Sequence, residues 1–446
     1  MHNAIIPPIK TQGCFVFGTI NILIFTVTLF GLDLIKYIFQ SKVIYFLLII
    51  GLLGKANVGK STFFNAATDS SVPLANFPFT TIDANVGFAY VRVNCVCKEL
   101  GVLDNPINSQ CINGVRFIPI KLIDVAGLVP GAHKGRGLGN KFLDNARQAD
   151  VLIHVVDISG STDEEGRPVN PGQGNPLNDI TFVEQEFDMW IRSLILRDWD
   201  KIIRESENLK LKMETVIATR LSGLSIDEQL IRKSLEIIGL RKNVVDWTHD
   251  DLLILSKQIR IQSKPIVIAA NKADLPTADG NIEKLKKLKR SFIPTVCEAE
   301  LLLKKANSKN LIYYLPGDST FEIRHTQNLS SVQTEALNVV SRVLTKFGST
   351  GIQQVLNHAC FQDLHKIVVY PVEDEYKLAD KNGNVLPDAR LISGQTNARD
   401  LAYLIHNDLG KGFLYAIDVR TKQRIGADHI LHNNDIIKIV STAGRK

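Results

Sequence analysis

The stretch Phe46-Leu47-Leu48-Ile49-Ile50-Gly51-Leu52-Leu53, running straight into Gly54-Lys55-Ala56-Asn57-Val58-Gly59-Lys60-Ser61, decides the fold. An apolar run of strand length meets a loop and then the helix-compatible Thr62 to Ala67. The loop spacing, Gly then four residues then Gly-Lys-Ser, is that of a phosphate loop. Backbone N–H groups between the glycines cradle the phosphates, Lys60 neutralises the β and γ oxygens, and the Ser61 hydroxyl ligates magnesium. A glycine-rich turn of no function is the competing reading. It has to explain agreement at eight positions and at both flanks, so we take Gly54, Lys55, Ala56, Asn57, Val58, Gly59, Lys60, Ser61 and Thr62 as nucleotide-binding residues.

Working outward, a phosphate loop requires a metal aspartate and a base reader. Phe117 to Ile123 reads as an alternating strand ending in Asp124-Val125-Ala126-Gly127. Asp124 would hold the outer magnesium shell and the Gly127 N–H would face the γ-phosphate. Pro265 to Ala270 is a second strand, ending in Asn271-Lys272-Ala273-Asp274. The Asp274 carboxylate can accept both donors of guanine's Watson–Crick edge, whereas adenine would leave it unpaired at about 3–5 kcal/mol, so GTP is expected over ATP. Three such motifs at carboxyl ends of strands fit an α/β protein with a mostly parallel sheet, helices on both faces, and a ligand crevice at that end.

The chain has 446 residues with 45% hydrophobic and 22% charged content, which excludes disordered, collagenous and coiled-coil classes. The net charge of +6 names no partner. Residues 1–50 carry only Lys10, Asp33, Lys36 and Lys42 as charges, and Gly13 to Leu32 is an uncharged run of twenty, long enough to span a membrane. Its β-branched content speaks against an anchor, the lack of a small-residue cleavage site against a signal peptide, and lysines on both flanks leave orientation unspecified; taken at face value, the run would make a membrane-tethered nucleotidase. The motifs need nothing from residues 1–48, whose Phe, Ile, Leu, Lys and Tyr bias is what A/T-rich noncoding DNA would encode. A misassigned start is expected, with initiation at a non-Met codon near Val43 to Ile49. Six scattered cysteines do not form a disulfide framework and suit a reducing cytoplasm.

Beyond the three motifs, Asn76-Phe77-Pro78-Phe79-Thr80-Thr81-Ile82-Asp83, the run Asp124 to Leu143, and His154-Val155-Val156-Asp157 with Ser159-Gly160 resemble the Obg and YchF branch of translation-factor-like GTPases, most closely its archaeal YchF-related GTP-binding proteins. The resemblance covers about residues 49–446. It implies that Asn76 to Asp83 is the first switch, with Thr81 (or Thr80) closing over magnesium, and that Gly127 to Leu138 is the second. Lys60, Thr81 and Gly127 would then be the catalytic group. Several YchF relatives read adenine through a displaced acidic residue; this chain keeps Asn271-Lys272-Ala273-Asp274 intact. Cys297-Glu298-Ala299 falls where the family places a Ser-Ala base-contacting loop, and Cys297 reads as a buried thiol. Leu128 occupies the position of the water-orienting glutamine of Ras-like enzymes. The resemblance offers Asn57 as a ligand for potassium against the phosphates; Asn57 as a loop residue tolerating left-handed geometry is the alternative. His133, Lys134 and Arg136 are candidate charge donors or a solvated loop.

Between Asp157 and Pro265 the chain is longer than one strand–helix unit needs and becomes helix-patterned. We expect a G domain at 49–180 and 262–325, a helical insertion at 181–261 and a helical connector at 326–365. Phe182 to Ser222 reads as one long helical stretch, Ser225-Ile226-Asp227-Glu228 as a capping box, and Gly239 as a helix stop. Lys284, Lys286, Lys287, Lys289 and Arg290 are a solvated face or an RNA contact. From Lys366 two strands (366–372 and one around Asn382-Gly383), a helix from Thr396 to Gly410 with Leu401, Leu404, Ile405 and Leu409 on one face, and strands near 413–419 and 435–440 suggest a β-grasp. The resemblance identifies 366–446 as a TGS domain and implies a ribosome or RNA partner through it and the helical insertion. Oligomeric state is not legible. Cys95, Cys97 and Cys111 lack Cys-x-x-Cys spacing; they form either a reduced hairpin or, with Asp104 as fourth ligand, a metal site. Cys360, between His358 and His365, reads as core.

Overall fold

The computed structural model describes residues 47–68, 85–125, 147–208, 212–224, 226–240, 246–324 and 329–442. Leu48 to Leu53 are apolar and nearly all buried, so they form a central strand, β1 (Ile49–Leu53), covered on both faces. β2 (Val86–Asn94), β3 (Gln110–Ile112), β4 (Val115–Asp124), β5 (Val151–Asp157), β6 (Ile266–Asn271) and β7 (Ile293–Pro294) complete a seven-stranded sheet of order β2-β4-β1-β5-β6-β7, with β3 pairing β4. β4, β1, β5, β6 and β7 run parallel, so their carboxyl ends lie on one side, while β2 and β3 pair antiparallel to β4 at the edge. β4 has an almost continuous buried pattern instead of the expected alternation, because both of its faces are packed.

On one face, helix Lys60–Thr68 packs Phe63 and Ala66 into a core with Ile50, Leu52, Ile118 and Ile120. Val355 and Leu356 of helix Ile352–His358 enter the same core, as do Cys360, Val368 and Tyr370, which joins the C-terminal domain to the sheet. On the other face, Leu53, Ile123, Val125 and Leu152 meet the helical insertion through Phe187, Ile191 and Ile259. A buried Asp188–Arg260 ion pair at 2.6 Å fastens its first helix to its last, His249–Ser263, whose start carries a Thr248/Asp251 capping box.

Several local expectations are corrected. The helical stretch begins at Pro176 and breaks into Pro176–Arg197, Trp199–Asn208 and Met213–Leu221, the first break falling at Asp198, whose φ of −116° leaves the helical region. Asp227 caps the next helix by accepting from the Leu230 N–H, since it stands one residue before Glu228–Ile238; Ser225 lies outside the described residues, and Gly239 ends the helix at φ 66° as expected.

After β8 (Ile312–Tyr313) and β9 (Glu322–Ile323), the C-terminal sheet consists of β10 (Lys366–Val372), β11 (Arg390–Ser393), β12 (Phe413–Asp418), β13 (Gln423–Ile425) and β14 (Asp435–Ser441), ordered β11-β10-β14-β12-β13. β10 and β14 are parallel neighbours, as a β-grasp requires. The second strand is Arg390–Ser393, not the region of Asn382-Gly383. There Asp380 accepts from the backbone of Asn382 and Asn384, which closes a turn in place of a strand. Asn397, not Thr396, caps the helix by accepting from the Asp400 N–H. That helix ends at Ile405; extended His406 (φ −160°) breaks it from Asn407–Lys411, so Leu409 does not continue the face of Leu401.

Candidate functional site

The carboxyl ends of β1, β5 and β6 converge, and the phosphate loop sits between them. Gly54 has φ 146° and approaches β5 so closely that a Cβ would lie 2.5 Å from the Val155 carbonyl oxygen. Gly59 has φ 97°, and a Cβ there would lie 2.2 Å from the Asn271 side chain. Asn57 holds the left-handed geometry open to it, at φ 60°.

Asn271 explains the close approach at Gly59. Its Nδ2 donates to the Val58 carbonyl at 2.9 Å, and its Oδ1 accepts from the Cys297 N–H at 3.2 Å. One buried amide thus ties the phosphate loop to the start of helix Cys297–Ser308. Lys272, at φ 60°, reaches Asp157 Oδ2 at 2.9 Å, Ser161 Oγ at 3.0 Å and the Asn57 carbonyl at 3.2 Å. Burial raises the Asp157 carboxyl, but hydrogen bonds from Ser159, Ser161 and Lys272 prevail and hold it below the usual range. Asp274 stands exposed at the mouth. Its charge still acts on Cys297, whose fully buried thiol is pushed well up, first by burial and then by Glu298, Glu300 and Asp274.

At the phosphate end, Lys60 and Asp124 face each other electrostatically. Burial lowers the Lys60 ammonium against the opposing pull of Asp124, and burial raises Asp124 against the pull of Lys60. Asp124 Oδ1 is buried with no hydrogen-bond partner among the described residues. Such a carboxylate oxygen beside a phosphate loop fits a magnesium shell, which the Ser61 hydroxyl could complete. Thr80, Thr81, Gly127, Leu128, His133, Lys134 and Arg136 lie outside the described residues.

Sequence reasoning missed the loop between Asp157 and Asn175. Lys55 forms a buried ion pair with Asp179 at 2.6 Å and donates to the Asp163 carbonyl at 2.6 Å, while Asn57 Nδ2 donates to the Gly166 carbonyl at 2.9 Å. The available signal was Asp179, an acid in the first turn of a helix begun by Asn175-Pro176, whose depth in the fold no spacing reveals. Lys286 and Arg290 pair with Glu283 and Glu184, as a solvated face would. Cys360 is fully buried in the core. Among the described residues no helix is long and apolar enough to cross a membrane.

The sheet order, the phosphate loop and the Asn271–Lys272 brace define a P-loop protein of the GTPase class. Family models agree: "50S ribosome-binding GTPase" over residues 49–184, "Obg-like GTPase YGR210-like, G4 motif-containing domain" over 269–374, and "TGS domain" over 381–441. An uncharacterized GTP-binding protein of Methanocaldococcus jannaschii is 50% identical over 396 residues, covering 88% of this chain and 99% of its own. The crystal structure of a GTP binding protein from Pyrococcus horikoshii superposes with TM-score 0.71 at 40% identity, over 89% of this chain and all of that one. A ribosome-binding ATPase YchF of Mycoplasma genitalium is 34% identical over 244 residues, 53% of this chain and 60% of that protein. The chain belongs to the Obg-like, YGR210-like GTPases that carry a TGS domain.

Proposed function

We propose that this protein hydrolyses GTP to GDP and phosphate in the cytoplasm, as a magnesium-dependent switch that engages the ribosome or RNA through its helical insertion and C-terminal domain. The observation that carries the reading is the Asn271 brace, which joins the phosphate loop to the base-side loop and leaves the Asp274 carboxylate exposed beside them. Lys60 would sit on the β and γ oxygens, and Ser61, Asp124 and Thr81 would hold magnesium, which supplies charge neutralisation on the phosphates. Potassium held by Asn57 would add a second positive charge; equal hydrolysis rates in sodium and potassium would remove that part. The ribosomal partner is supported by the family description of the G domain and by the YchF relative's name.

For base choice, the YchF relative is called an ATPase, whereas Asp274 supports guanine. Binding titrations should show GTP preferred over ATP by at least about a hundredfold, the discrimination expected when a site built to hydrogen-bond one base edge meets a base that lacks the matching donors. Asp274→Asn should shift preference towards xanthosine triphosphate, because the amide can donate to the xanthine O2. Equal affinities for GTP and ATP would end the guanine reading. The rival is a GTP-dependent assembly protein with negligible turnover, favoured by Leu128, whose apolar side chain cannot orient water. Multiple-turnover phosphate release with and without ribosomes separates the two. Sedimentation with ribosomes under GTP, GDP and no nucleotide tests the partner, and nucleotide-independent behaviour would refute the switch.

A further inference from the structure

The edge hairpin between β2 and β4 carries a cluster that nucleotide chemistry does not use. Cys95 follows β2, at the start of the short helix Val96–Leu100 that holds Cys97; Asp104 lies in the following loop and Cys111 on β3. Their ligand atoms all lie within 4.8 Å of one another. Cys97 Sγ and Cys111 Sγ are 3.6 Å apart, and Cys95 Sγ is 3.3 Å from Asp104 Oδ2. With zinc–sulfur bonds of about 2.3 Å and zinc–oxygen bonds of about 2.1 Å, a tetrahedron has edges of about 3.8 Å between sulfurs and about 3.6 Å between sulfur and oxygen. The two observed edges fall within a few tenths of an ångström of these values.

The surroundings also fit a bound cation with excess ligand charge. Arg116 is fully buried; Nη2 donates to Asp104 Oδ2 at 2.8 Å, and Nε and Nη2 both reach Cys95 Sγ at 3.4 Å. Three thiolates and a carboxylate around a divalent ion carry a net charge of −2, and a guanidinium bonded to two of those ligands offsets part of it. Three soft sulfur ligands favour zinc over magnesium or calcium. A disulfide between Cys97 and Cys111 would leave the convergence of Cys95 and Asp104 on the same point unexplained.

The same hairpin forms the seam with the C-terminal domain. Arg116 donates to the Leu386 carbonyl at 3.2 Å and lies over the Tyr370 ring at 5.5 Å. The Asn105 N–H donates to Val385, and the Ile107 N–H to Pro387. We propose that Cys95, Cys97, Asp104 and Cys111 bind one zinc ion in a tetrahedral site that fixes this hairpin against the C-terminal domain.

The test uses the full chain, reduced and stripped with a chelator. Added cobalt(II) should give the intense visible bands of a tetrahedral ion and a thiolate charge-transfer band, and one equivalent of zinc should erase both. Elemental analysis of the purified protein should find one zinc per chain, lost in Cys97→Ser and in Cys111→Ser. If those variants fail to fold, the cobalt spectrum of the wild-type chain decides alone. Octahedral or absent cobalt bands, zinc retained by both variants, or a Cys97–Cys111 disulfide in the native protein would overturn the site. Hydrogen exchange of residues 384–388 should quicken at least tenfold on zinc removal, and unchanged exchange would overturn the clamp.

Discussion

The two ends of the large sheet's parallel strands show two ways of holding distant segments together. At the carboxyl end, where Asn271 closes β6, segments more than 200 residues apart meet through that neutral amide, bonded to the backbones of Val58 and Cys297. At the opposite end, near the start of β4, the edge hairpin meets the C-terminal domain through a buried charge, Arg116, bonded to Asp104, Ser109, Cys95 and Leu386. The first arrangement leaves room for a ligand that brings its own charge. The second is already charged and closed. The Asn271 brace is made of neutral bonds, with the ion pairs Lys55–Asp179 and Lys272–Asp157 beside it; the structural seam turns on a buried ion, which is costly to disturb.

The sharpest way to break this contrast is Arg116→Met. Removing one partner of a buried charge cluster should cost about 3–5 kcal/mol, read as a fall in the urea midpoint, with GTP affinity per folded molecule unchanged. A matching loss of GTP affinity would show that the two ends act as one unit. Next, Lys60→Ala should cost about 3 kcal/mol of nucleotide binding, roughly a hundredfold in Kd, by fluorescent-nucleotide titration. Ligand-free stability should not fall, because burial already disfavours the Lys60 charge. Asn271→Ala should lower the stability of the ligand-free chain by about 2 kcal/mol, through the loss of two buried hydrogen bonds, and should weaken nucleotide binding as well.

His154, on β5 opposite Leu53, provides a pH test. Burial, aided by the charges of Lys55 and Lys60, lowers its folded pKa to about 3. Because the folded value lies below the unfolded value of about 6.5, the unfolded chain binds the extra proton, and stability present above pH 6.5 is lost as pH falls towards 3. About 2 kcal/mol should go between pH 7 and pH 5, and His154→Leu should flatten that slope in urea titrations. The smallest effect should come from Arg290→Ala, whose partly exposed pair with Glu184 belongs to neither end: under about 1 kcal/mol, and shrinking with salt.

The nucleotide end was legible because a phosphate loop dictates residue type at fixed spacing: Gly54, Gly59 and Lys60 follow from the need to wrap and neutralise phosphate, while Asn271 came with the base-reading motif and its bond to Val58 was not foreseen. What could not be read was tertiary. Lys55 and Asp179 lie 124 positions apart in the sequence, and nothing local marks them as a pair. In the C-terminal domain the Asn-Gly signal was read as part of a strand region, although Asp380 closes a turn there and the strand comes later, at Arg390. Caps slipped by a residue or two where neighbouring polar side chains compete for one helix start, as at Thr396 and Asn397.

The Lys55–Asp179 pair has a mechanical meaning. Asp179 belongs to the first turn of a 22-residue helix, about 33 Å long, that runs into the insertion. The helix is therefore a lever with its short arm pinned to the phosphate loop and its long arm packed among the insertion's helices. Torque applied at the far end would reach the loop that carries Lys55, and a change at that loop would reach the insertion along the same rod.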